Sequence, residues 1–172
     1  MPADPAPVRV GVTGHINLTR DTELLVADAL HVELRRISDR PVRGVTCLAA
    51  GADQLFVRAI LELGGTYEVI LPALDYRTAV ICPENRATFD GLLARAATVV
   101  HTGHERSNTA AYVAANRELV RRVQRLVAVW DGEPGCHAAS TDRTVDAARR
   151  LGIPTTVLWP AGARRTPPGS DS

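Results

Sequence analysis

The chain has 172 residues, a formal net charge of +1 and 45% apolar residues. That suits one soluble globular domain with a sizeable core. It argues against a groove that holds nucleic acid by bulk electrostatics, so nucleic acid is not expected as a partner. All twenty basic residues other than histidine are arginine, which rules out Schiff-base chemistry and a Walker-A phosphate lysine. The sequence has no signal-peptide core and no apolar run of membrane-spanning length, so a cytoplasmic protein without a membrane partner is expected. Cys47, Cys82 and Cys136 are an odd set without CxxC spacing. They read as reduced thiols, with Cys47 in the core.

Residues 1–7 carry three prolines and read as a flexible lead-in. Strands are predicted at Val8–Thr13, Gly44–Ala49, Tyr67–Leu71, Thr98–His101, Leu126–Trp130 and Thr155–Leu158. Most are short, β-branched and apolar throughout, the pattern of strands covered on both faces. Helical spacing fills the gaps between them. Leu24, Ala27, Leu30, Leu34 and Ile37 form one stripe; Phe56, Ala59, Ile60 and Leu63 form another. Further helices are predicted at 84–96, 109–124 and 141–151, with Gly64 and Gly152 as C-terminal caps. Residues 161–172, rich in Pro, Gly, Ser and Arg, read as a disordered tail.

This alternation predicts βαβ units, a mostly parallel sheet of about six strands and helices on both faces: a three-layer, Rossmann-like α/β domain over residues 8–160. Ligands of such sheets sit at the carboxyl ends of the strands. Small, polar and glycine residues cluster at those ends. After the first strand, Thr13, Gly14 and His15 can offer a hydroxyl, a close backbone approach and an imidazole to a phosphate, a ribose or a base. Gly51 likewise permits close approach, and Asp53 is either an N-cap or a ribose ligand. Tyr112 and Asn116 share a helix face one turn apart and can reach a sugar or base. Asp131 and Gly132 end the fifth strand, where the aspartate is either a turn-former or a ligand-facing carboxylate. Thr141 can cap the last helix. His101 and His104 leave a strand rather than share a helix face and lack a third ligand, so no metal site is expected.

Val10-Gly11-Val12-Thr13-Gly14-His15, Ala50-Gly51-Ala52-Asp53 and Leu126–Gly132, with Trp130-Asp131-Gly132 at its end, resemble the SLOG superfamily of Rossmann-like domains. That superfamily includes the LOG phosphoribohydrolases and DNA-processing protein A. The resemblance covers residues 8–160. It implies a parallel sheet, a site for a nucleotide or nucleotide-derived molecule, and a homodimer formed through helices. It also implies two alternatives to simple binding. One is cleavage or transfer at an N-glycosidic bond, with Asp131, Glu105 or Asp142 as nucleophile or base. The other is a non-catalytic interaction module with a vestigial pocket. The sequence departs from the family at Ala139-Ser140-Thr141-Asp142-Arg143, where relatives carry two glycines, and it lacks the PGGxGTxxE motif of the LOG hydrolases. No cofactor is expected.

Overall fold

The computed structural model describes residues 5–167. The described residues form a six-stranded, wholly parallel sheet. Its strands are β1 (Arg9–Gly14), β2 (Arg43–Thr46), β3 (Thr66–Leu71), β4 (Thr98–His101), β5 (Arg125–Val129) and β6 (Thr155–Leu158). The spatial order is β4-β3-β2-β1-β5-β6. The direction in which strands are added therefore reverses between β1 and β5, which opens a crevice at their carboxyl ends. The helices are α1 (Arg20–Ile37), α2 (Ala52–Glu62), the single turn α3 (Tyr76–Ala79), α4 (Arg86–Ala94), α5 (Thr109–Arg122) and α6 (Thr141–Arg150).

Alternation along each strand sorts the core into two layers. Val10 and Val12 of β1, Tyr67 and Val69 of β3, and Val127 and Val129 of β5 pack with α1, α2 and Phe89. Val45, Ile70 and Leu126 face the other way, onto Ala115, Leu119 and Ala148 of α5 and α6. The strands outside this sandwich, β4 and β6, are the sheet edges, and their residues are half-buried or exposed. Gly64 and Gly152 follow α2 and α6 with φ of 76° and 71°, the left-handed caps that the sequence predicts.

Two expectations differ. The buried stripe of α1 is Thr22, Val26, Leu30, Glu33 and Leu34, and Leu24 is 66% exposed. Both stripes contain Leu30 and Leu34, so the pattern alone leaves the rotation of the first turns open. The second difference lies in the predicted tail, of which residues 161–167 are described. After a turn closed by Ala163 N–H onto Pro160 O, Arg164–Thr166 runs antiparallel to the β1–α1 loop as a short strap. Thr19 N–H donates to Arg164 O, Arg164 N–H to Thr22 Oγ1, Thr166 N–H to Asn17 O, and Asn17 Nδ2 to Thr166 O. Its composition reads as disorder, but the β1–α1 loop supplies partners for its backbone groups. Residues 1–4 of the predicted lead-in and 168–172 of the predicted tail lie outside the described residues.

At the amino-terminal side of the sheet, a buried carboxylate anchors three elements. Glu68 of β3, whose side chain is 4% exposed, meets Arg9 at 2.9 Å, Arg43 at 2.7 Å and Arg122 at 3.3 Å. Burial alone pushes such a carboxyl up, yet the guanidinium groups of Arg9 and Arg43 hold it below its ordinary range. Removing the charge leaves Arg9 and Arg43 unneutralised, while Arg122 keeps its pair with Glu118 at 2.6 Å. Glu68→Gln is expected to lower the free energy of unfolding by about 3 kcal/mol in urea titration at neutral pH. A change within about 0.5 kcal/mol would show that water already screens the cluster.

Candidate functional site

The crevice at the switch point is a cleft of about 460 Å³. Val12, Cys47 and Ala115 contribute apolar surface; Thr13, Tyr76, Tyr112 and Asn116 contribute neutral polar groups. The 130–142 segment forms the opposite wall, and Arg165 of the strap reaches into it.

Of the residues expected at a site, Thr13, Gly14, His15, Asp53, Tyr112, Asn116, Thr141 and Asp142 line this cleft. Thr13, Tyr112 and Thr141 have no side-chain hydrogen bond among the described residues. Asp131 stands at its edge, joined to two lining residues, His15 and Arg165. Gly51, Gly132 and Glu105 are not among the lining residues. Glu105 is exposed in the β4–α5 loop, which is stitched to the segment before α3: Leu74 N–H donates to His104 O and Asp75 N–H to Glu105 O. Ser107 completes the stitch, its amide and hydroxyl both donating to Asp75 Oδ1 at 2.7 Å. Among the described residues, no three His, Cys, Asp or Glu side chains converge in a way that could hold a metal ion.

The glycine turn is built for packing. A Cβ on Gly14 would lie 2.7 Å from both Ala52 Cβ and Val129 O. On Gly51, at φ 76°, it would lie 2.6 Å from His15 O. The same approach lets His15 N–H donate to Val129 O and Ala52 N–H donate to His15 O, each at 3.1 Å. Close contact with the protein's own atoms is enough to require glycine at these two positions.

The strand-end carboxylates are already engaged. Asp131 Oδ1 lies 3.0 Å from His15 Nε2 and accepts from Glu133 N–H at 3.0 Å. Its Oδ2 meets Arg165 Nε at 2.8 Å. Burial works against the charge, but the Glu133 amide, His15 and Arg165 together hold the Asp131 carboxyl below its ordinary range. His15 has its edge against Trp159, with ring centroids 5.5 Å apart and planes at 83°. Burial lowers its pKa despite Asp131. Asp142, in the first turn of α6, accepts from Ser140 Oγ and from the amides of Gly135 and Arg143, which lowers its pKa.

Asp53 lines the cleft but is not the N-cap of α2, a place held by Gly51. Its carboxylate turns back and accepts from Thr46 Oγ1 at 2.9 Å, Cys47 N–H at 3.2 Å and Ala49 N–H at 3.3 Å. That convergence folds the β2–α2 loop tightly, with Leu48 at φ 58°. Burial pushes the Asp53 carboxyl up to about 6. Burial, with Asp53 nearby, also raises the Cys47 thiol far above its ordinary range, so it stays protonated and is no nucleophile.

Tyr76 was not foreseen. Its helix is four residues long, too short to leave a periodic pattern. The residue is 4% exposed and its ring packs on Phe89 at 6.0 Å. Its hydroxyl has no partner among the described residues, yet no buried polar side-chain atom lacks one, so the hydroxyl opens into the cleft. Arg165 was missed because it stands in a segment composed like a tail.

Asp53 gives a pH signature. Its carboxyl binds a proton more tightly folded than unfolded, so it favours the folded state at low pH. That advantage is lost as pH rises from about 4 to about 6. Relative to Asp53→Asn, the wild-type chain is expected to lose about 3 kcal/mol over that window and nothing more above it. Denaturant titrations of both chains from pH 4 to 8 check this; parallel curves would show that Asp53 titrates normally.

No protein-family model matches the chain, and no curated protein matches it in sequence. Solved structures do. A DNA processing protein A from Helicobacter pylori, described for its single-stranded DNA binding mode, shares 16% identity at a TM-score of 0.65, with 93% of this chain and 69% of that one covered. The Streptococcus pneumoniae DprA shares 17% at 0.64 over 91% of this chain, which spans about half of that protein's length (52%). The molybdenum cofactor carrier protein of Chlamydomonas reinhardtii shares 18% at 0.54, over 88% and 76% of the two chains. The first of these overturns the argument from net charge against nucleic acid. Net charge averages the whole surface, whereas single strands are held by local basic grooves and stacking platforms. Among the described residues no helix is long and apolar enough to cross a membrane. The chain has a three-layer, Rossmann-like α/β fold, shared with these structures.

Proposed function

We propose that this chain is a binding domain for a nucleotide-derived small molecule, held in the cleft at the carboxyl ends of β1 and β5. One observation carries the reading: a cleft of about 460 Å³ stands at the point where strand order reverses, with the unpartnered Tyr76 hydroxyl opening into it. Its volume falls in the range of small-molecule sites, roughly 300–1,000 Å³. An apolar floor with a few fixed polar groups is the lining that such ligands use. The carrier protein among the structural neighbours is also a ligand-handling domain by its description.

Cleavage of an N-glycosidic bond would require a free carboxylate beside the sugar. Asp131 and Asp142 are each committed to neighbouring groups of the protein, and Glu105 lies outside the cleft. Binding therefore fits these side chains better than hydrolysis does.

Calorimetric titration with a panel of nucleobases, nucleosides and nucleotides is expected to give at least one saturable ligand. Tyr112→Ala, on the cleft wall, is expected to weaken it tenfold or more, equivalent to about 1.4 kcal/mol. No saturable ligand across the panel would refute the reading. Saturable binding of an oligo-dT strand that Tyr112→Ala also weakens, with no small molecule binding, would replace it with single-strand recognition.

A further inference from the structure

We propose that the cleft takes the neutral part of a nucleotide-derived ligand, a nucleoside or a free base, and turns away a ligand that carries a phosphate; this rests on the reading of the cleft as a small-molecule site. Helix N-termini and glycine turns are where a fold of this kind would receive an anion. Here three such places are already filled by the protein.

At α6 the occupant is Asp142. Ser140 Oγ donates to its Oδ1, and the amides of Gly135 and Arg143 donate to the same carboxylate. A Cβ on Gly135 would fall on the Ser140 side chain, so the loop is closed down against the helix start. At the β1 turn, the His15 and Ala52 amides are spent on Val129 O and His15 O. At α1, Thr19 N–H donates to Arg164 O of the strap, and Thr22 N–H to Thr19 Oγ1.

Charge points the same way. Asp53, Glu133 and Asp142 line the cleft with Asp131 at its edge, against the single guanidinium of Arg165, which is held 2.8 Å from Asp131. A phosphate entering this space meets like charge and no free cation among the described residues. The groups left open are neutral: the hydroxyls of Thr13, Tyr76 and Tyr112, none with a side-chain partner among the described residues. Tyr76 is the most telling of them, because its ring is buried against Phe89 while its hydroxyl, without a partner among the described residues, opens into the cleft where a ligand can reach it. Two tyrosines, three hydroxyls and an apolar floor of Val12, Cys47 and Ala115 complement a planar heterocycle with its own N–H and C=O groups.

The test titrates the full chain with adenosine, guanosine, cytidine and uridine, each 5′-monophosphate, and inorganic phosphate alone, by calorimetry. At least one nucleoside is expected to bind, its monophosphate tenfold or more weaker, and phosphate not at all. Tyr76→Phe is expected to weaken the nucleoside about tenfold with the thermal midpoint unchanged, since the hydroxyl holds nothing in the protein. Asp142→Asn is expected to narrow the gap between nucleoside and monophosphate; thermal scans report whether that variant is folded, and Tyr76→Phe serves if it is not. A monophosphate that binds as tightly as its nucleoside, or more tightly, overturns this inference while the cleft reading stands. Absence of binding by every compound overturns both.

Discussion

The junction between β1, β5 and the start of α2 is packed so closely that position 14 has no room for a side chain. Everything at the carboxyl side of the sheet follows from that approach. Because Gly14 lets Val129 and Ala52 close in, the His15 amide reaches Val129 O, and the Ala52 amide reaches His15 O. The imidazole of His15 is then delivered to the end of β5, where Asp131 and Trp159 fix it. The cleft is the space left beside this knot, and the knot determines which polar groups face it.

The same economy governs the charges. Glu68 is buried among Arg9, Arg43 and Arg122 on the amino-terminal side, and Asp131 is clasped by His15 and Arg165 on the other. A lone buried carboxylate is costly, whereas one with several donors is tolerated. Asp53 is the intermediate case: amide and hydroxyl donors without a cation, and a carboxyl pushed up to about 6. The three acids span the range from fully neutralised to barely stabilised. On the cleft side, Asp53, Glu133, Asp142 and Asp131 outnumber Arg165.

The fold was legible because the central strands are covered on both faces and so read as unbroken apolar runs, each followed by a helix of ordinary spacing. The edge strands β4 and β6 were found at their exact bounds, since β-branched residues persist there despite exposure. The site was legible only in outline. A glycine that admits a phosphate and a glycine that admits a neighbouring carbonyl look alike in sequence, and Gly14 and Gly51 each meet a carbonyl where a Cβ would stand. Asp53 sits where an N-cap would, but what it accepts depends on how the β2–α2 loop folds back. Tyr76 and Arg165 lie on a single helical turn and on a strap, segments too short to carry a period, and their roles come from tertiary contacts.

β1 is a central strand whose two partners are made at very different times. β2 follows it closely in the chain, whereas its other neighbour, β5, is separated from it by three further strands of the sheet order's opposite wing. During synthesis on the ribosome, one edge of the innermost strand therefore stays bare until Arg125–Val129 has emerged. An apolar, unpaired edge invites pairing with another nascent chain. The segment ending at β4 thus contains only one of the two partners of β1, and pairing with β5 is what closes the centre of the sheet.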